Sequence, residues 1–153
     1  TGPFVRQVES PEERKNRLRS LGKPTIRGRR DLAQHFFVSA YLAAALGPSI
    51  AETIGLAKEA ADSKGESGFS FVDIAANKAG IRFARAVLDK KIPMKDIHEH
   101  FTVEKYMPPI DRLPEGLSAD EMRHQFGAEG GKAFSEMLKE IDGRIEELPA
   151  YAE

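Results

Sequence analysis

Along residues 31–90, apolar positions recur every three or four residues, the spacing that builds one face of an α-helix. Ser, Pro and Gly punctuate this pattern where helices begin and end. Ser10-Pro11-Glu12-Glu13 combines an N-cap, a proline at the first helical position and a capping box, and Gly22 stops the helix that follows. A second helix is predicted over residues 31–47, and Pro48 opens a third that reaches about residue 64, before a GESG loop. Ser70 and Asp73 form a capping box for a fourth, running to about residue 90. Pro93 starts a short helix through His100, and Pro108, Pro109 and Pro114 impose an extended connection over residues 106–116. Ser118 with Glu121 caps another short helix, ended by Gly127, and a last helix covers residues 132–148. There is no strand alternation and no internal repeat. The expected fold is all-α: a compact helical bundle with a proline-rich connection and a C-terminal helical appendage. The chain reads as a single domain over 1–153, with an arm and helix at 1–29, a core at 30–92 and a wrapping appendage at 93–153.

Placing each segment on a helical wheel assigns faces. Asp31 and His35 are four apart on the second helix, close enough to interact, and Val38, Leu42 and Leu46 continue that face. His35 is therefore expected in apolar surroundings. On the third helix Ile50, Ile54, Ala57 and Ala61 form the apolar stripe, with Glu52 and Glu59 opposite as a solvated face. Lys58 and Asp62 are an ordinary i,i+4 pair. On the fourth helix Lys78, Arg82 and Arg85 mark the solvated side, and Asp73 and Gly80 point inward beside Asn77, Ala84 and Val87. Asp73 lies where the helix macrodipole favours negative charge, so capping alone would account for it. The inward Asn77 argues for something more, and Gly80 leaves room for another helix to come close.

Composition narrows the function classes. The 23 basic and 24 acidic residues leave a net charge of -1, without the electrostatic footprint of a nucleic-acid-binding domain. The basic runs at residues 14–19 and 27–30 read as a solvated helix face or an ordering arm. The absence of cysteine excludes disulfides and thiol catalysis and chooses no redox compartment. No signal peptide is legible at Thr1, a feature a processed chain would share. Residues 36–57 carry one charge, Glu52, but Gly47-Pro48 interrupts them, so two short buried helices are expected rather than a membrane span.

One stretch resembles a known family. Asp31-Leu32-Ala33-Gln34-His35-Phe36, Ser39-Ala40, Lys58-Glu59, Asp62-Ser63, Ser67-Gly68-Phe69-Ser70-Phe71, Asp73 and Ala79-Gly80 are similar to the YfiM family of small bacterial lipoprotein-like proteins. Their spacing is also similar to the VanZ-like pattern of Asp/His, acidic and Asp/Asn positions. The match spans about one third of the chain. It implies a bacterial cell-envelope or periplasmic protein and supplies no established activity. The chain departs by having no cysteine to lipidate, and residues 93–153 have no counterpart in the pattern. The residues themselves do not exclude the cytoplasm.

Buried ionisable groups are costly unless paired, hydrogen-bonded or metal-bound. Asp31, His35, Glu59, Asp62, Asp73 and Asn77 are thus the candidate cluster, should three helices bring them together. Such a set offers two chemistries. Carboxylates with a neutral imidazole hold a divalent metal that activates water for hydrolysis of an ester, amide or phosphoester. Without metal, Asp31 would orient His35 as a general base. The simplest expectation is non-catalytic: an envelope-associated helical protein whose polar cluster fixes helix register and whose surface meets a protein partner or a second copy. Metal-assisted or acid/base hydrolysis is the alternative, and peripheral membrane contact through residues 36–57 a third. His98 and His100, two apart, point to different faces and are expected exposed. Ser70 is read as a cap rather than a nucleophile, and Phe69 and Phe71 as core anchors.

Overall fold

The computed structural model describes residues 10–63, 68–127 and 130–152. Among these, helices and two isolated bridges make up the regular structure, as the periodicity implied. The helices are α1 (Pro11–Leu21), α2 (Arg30–Leu46), α3 (Pro48–Asp62), α4 (Phe71–Leu88), α5 (Met94–His100), α6 (Val103–Tyr106), α7 (Ala119–Phe126) and α8 (Lys132–Glu146). The expected last turn of α3 near residue 64 and most of the GESG loop lie outside the described residues.

Local chemistry sets most helix starts. The boxes at Ser10/Glu13 and Ser118/Glu121 are complete, each side chain bonding the other residue's backbone N–H. Gly127 ends α7 in the left-handed conformation. The short α6 was not foreseen; it ends where the expected extended connection begins, and residues 107–118 carry no helix.

The centre of the molecule is α4, packed most extensively against α2 and also against α3 and α8. Its inner face is made of small residues, Ala75, Ala76, Ala79, Gly80, Ala84 and Ala86, so neighbouring backbones come close. The limiting point is Gly80: a Cβ there would lie 2.0 Å from the Phe36 carbonyl oxygen. Phe36 lies by Gly80, while Ala43 clusters with Ala84, so α2 and α4 run parallel, and α3 returns antiparallel to both.

The proline-rich segment and C-terminal helices wrap this core. Phe69 and Leu117 exchange backbone hydrogen bonds of 2.7 and 2.9 Å, and Phe71 N–H donates to Pro114 O. Phe69 and Phe71 are buried against Phe126 and Phe134, which confirms them as anchors.

Three facial assignments need correction. Lys78 and Arg82 do not form a solvated face, because α8 covers them: Lys78 pairs with Glu52 and Asp142, and Arg82 with Glu146. On α2 the buried residues are Leu32, Ala33, Phe36, Ser39 and Ala43, while Val38 and Leu46 are exposed. On α3 the inward stripe is Ala51, Gly55 and Glu59, and Ile50 and Ile54 face solvent. On α3 small residues won because an alanine-lined α4 admits a near backbone and leaves little room for branched side chains, whereas α2 buries Leu32 and Phe36 beside small residues.

Gly80→Ala is expected to lower stability by about 3 kcal/mol, since a backbone oxygen rather than a flexible side chain would have to move. Gly143→Ala in α8, where a Cβ meets nothing within 4 Å, should instead gain roughly 0.5–1 kcal/mol. Urea-unfolding midpoints of the two variants check both signs.

Candidate metal centre

The second half of a capping box is missing at the start of α4, and this organises the site. Ser70 Oγ accepts from Asp73 N–H at 3.0 Å, as the sequence implied. The reciprocal bond to Ser70 N–H comes from Glu59 Oε2 on α3, at 3.2 Å, and not from Asp73. Asp73 is thereby released from capping, and its carboxylate turns toward α2.

There it meets His35: the Nε2 to Oδ2 distance is 3.4 Å. His35 Nδ1 lies 3.0 Å from Asn77 Oδ1, which also accepts from Ser39 Oγ at 2.8 Å. An amide oxygen is only an acceptor, so Nδ1 carries a proton and donates it to Asn77. Nε2 is the ring nitrogen turned toward the Asp73 carboxylate. This is the arrangement in which a metal-ligating histidine is held, one ring nitrogen donating to a fixed acceptor and the other free to coordinate.

Glu59 completes the group. Ligand atoms of His35, Glu59 and Asp73 all lie within 4.8 Å of one another. Glu59 has no exposed surface, and the side chains of His35 and Asp73 are 12 % and 17 % exposed. Glu59 Oε1 and Asp73 Oδ1 are buried without a hydrogen-bond partner. The nearest cation, Lys58 Nζ, stands 3.6 Å from Glu59 Oε1, in Coulombic range but beyond hydrogen-bonding distance, and is bonded to Asp62 at 2.5 Å. Burial, reinforced by the Asp73 charge, raises the Glu59 pKa above its ordinary value. Burial likewise raises that of Asp73 against the opposing pull of His35.

Of the candidate cluster, the structure thus brings His35, Glu59, Asp73 and Asn77 together. Asp31 and Asp62 stand outside. Asp31 does not orient His35: it is exposed and held by the Arg29 guanidinium through contacts of 2.6 and 3.2 Å. The Arg29 hydrogen bonds keep its pKa below the ordinary value. Arg29 also reaches Glu115 at 2.7 Å, so this trio fastens the start of α2 to the wrapping segment. Asp62 holds Lys58. Ser39 was missed as a contributor, although its position four residues after His35 put it on the same face. His98 and His100 are exposed, as expected.

A groove of about 130 Å³ leads to His35. Gln34, Ser39, Lys58 and Asn77 give it polar lining, and Val38, Leu42 and Ile54 apolar lining, with Gly55 also in the wall. A Cβ on Gly55 would press on Asn77 Nδ2 at 3.0 Å, so this glycine leaves space for the amide that sets the His35 tautomer. No family model matches the chain, and no curated protein or solved structure matches it.

The raised acids give the pH dependence a definite sign. Chelator-treated protein holds protons on Glu59 and Asp73 to a higher pH than the unfolded chain does. The folded state therefore binds more protons, and stability falls as pH rises above the ordinary values of 4.5 and 3.8 toward the raised ones. Glu59→Gln should flatten this fall, which urea midpoints measured from acid to neutral pH will show.

Proposed function

We propose that His35 Nε2, Glu59 Oε1 and Asp73 Oδ1 bind one divalent transition-metal ion, and that the ion activates water for hydrolysis. The carrying observation is the pair of buried carboxylate oxygens that lack hydrogen-bond partners and lie beside the His35 imidazole, whose other nitrogen is held by Asn77. Two carboxylates left bare in the interior destabilise the fold, whereas a dication neutralises both and accepts the nitrogen lone pair. The imidazole favours zinc over calcium or magnesium, and the two carboxylates also suit manganese. Three protein ligands leave a coordination position for water. A bound ion would supply activated water for attack on the carbonyl carbon or phosphorus of an ester or phosphoester, the leaving oxygen departing with a proton from that water. Lys58, at the groove wall, supplies positive charge near the site. The resemblance of residues 31–80 to YfiM proteins supports a bacterial envelope setting.

A second reading rests on a separate observation: Asn77 Oδ1 is shared by Ser39 and His35, which ties α2 to α4 whatever else is bound. Under that reading the cluster fixes helix register and the protein acts by presenting surfaces to a partner.

Titration calorimetry with Zn²⁺ and Mn²⁺ separates the two. The metal reading expects one ion per chain, with proton release that grows as pH falls through the raised carboxylate range. His35→Ala should abolish saturable binding, and Asn77→Ala should weaken it about 10- to 100-fold. Asp31→Asn should leave it unchanged. Hydrolysis of p-nitrophenyl esters or bis-p-nitrophenyl phosphate should then need the metal and fail in Glu59→Gln. A folded wild-type protein that binds neither ion leaves only the architectural reading.

A further inference from the structure

The outer face of α2 and α3 is unlike the rest of the surface. Six of the eight large hydrophobic side chains found exposed among the described residues lie there: Phe37, Val38, Tyr41, Leu46, Ile50 and Ile54. Tyr41 is 67 % exposed, Leu46 and Ile50 51 % each. Residues 36–51 contain no charged side chain, and the next charge, Glu52, is turned toward Lys78. Isolated exposed apolar residues need no explanation, but six gathered on two adjacent helices mark a surface that something covers.

We propose that this face docks on an anionic lipid surface. Charge placement is the argument for that occupant. Because α2 and α4 run parallel, the α2–α3 turn at Gly47-Pro48 shares its end of the bundle with the close of α4. That end presents Leu46 and Ile50 together with Leu88, 60 % exposed. Beside Leu88 in the chain come Arg85, Lys90 and Lys91, all exposed; Asp89 pairs with Arg85 at 3.9 Å, and the nearby carboxylates Glu52, Asp142 and Glu146 are taken up by Lys78 and Arg82. An apolar tip backed by cations is the arrangement that seats an amphipathic element in the headgroup region of an anionic membrane. No helix of the described residues is long and apolar enough to cross a bilayer, so the element lies on the surface. A protein partner would instead be met by a rim of hydrogen-bonding and charged side chains. Here the exposed polar positions between Asp31 and Lys58, such as Gln34, Ser49 and Thr53, are few and neutral, and the half-exposed Glu52 is paired with Lys78. The groove leading to His35 has Val38 and Ile54 in its wall, so the docked protein would open its polar site toward the lipid. This inference stands without the metal.

Flotation of the purified protein with phosphatidylcholine vesicles, with and without phosphatidylglycerol, tests it. Wild type should float with the anionic vesicles and much less with the neutral ones. High salt and Lys90→Glu/Lys91→Glu should each cut the floated fraction, the double variant roughly tenfold. Tyr41→Ser/Ile50→Ser alters exposed side chains, so it should keep the wild-type melting temperature and lose vesicle binding. A wild type that stays with the soluble fraction in both cases overturns the proposal. So does equal flotation of the folded Tyr41→Ser/Ile50→Ser variant. Concentration-dependent dimerisation without vesicle binding, lost in that variant, would assign the face to a second copy instead.

Discussion

The position of Gly80 beneath the Phe36 carbonyl governs the structure around it. With no Cβ in the way, α2 and α4 approach until backbone meets backbone, and their side chains interlock at a fixed offset. That offset puts Asn77 within reach of both Ser39 and His35, and Asp73 one turn earlier against the other edge of the imidazole. A wider spacing would leave each of these polar groups facing a gap. The close contact of two helices and the geometry of the polar cluster therefore share one cause.

α3 depends on the same constraint. Its inward stripe, Ala51-Gly55-Glu59, is narrow for two positions and then ends in a long acidic side chain. The small residues let α3 lie against α4. Glu59, at the far end, then reaches across to Ser70 N–H and the cluster. Lys58 next to it shows how finely charge is apportioned. Burial pulls its pKa down, but the Asp62 hydrogen bond and the charges of Glu59, Asp62 and Asp73 outweigh this and raise it. The lysine stays charged and neutralises Glu59 only in part, because Asp62 already occupies its short contact.

Much of the fold was legible in the sequence because its signals are local. Caps, capping boxes and prolines act within a turn, and they placed the helix starts at Ser10, Pro48, Ser70 and Ser118. What a helix buries is a different matter. Hydrophobicity favours Ile50 and Ile54 over Ala51 and Gly55, yet the latter pair is buried, since close approach to an alanine-lined helix rewards small volume. The same inversion hid Glu59, which a wheel places on the polar side. His35, Asp73 and Asn77 were legible as inward-facing groups on α2 and α4. Asp31 was misassigned because four-residue spacing permits contact with His35 without requiring it, and Arg29 offered a stronger partner.

The amide of Ser70 has an unusual owner. In an ordinary helix start that N–H is satisfied from within the same turn, but here its acceptor arrives from a neighbouring helix eleven positions upstream. Whatever draws Glu59 away, whether a proton, a substitution or a ligand pulling on its carboxylate, also loosens the first turn of α4. Hydrogen exchange at this one amide is consequently a built-in gauge of what the acidic cluster holds, readable without any assay of turnover.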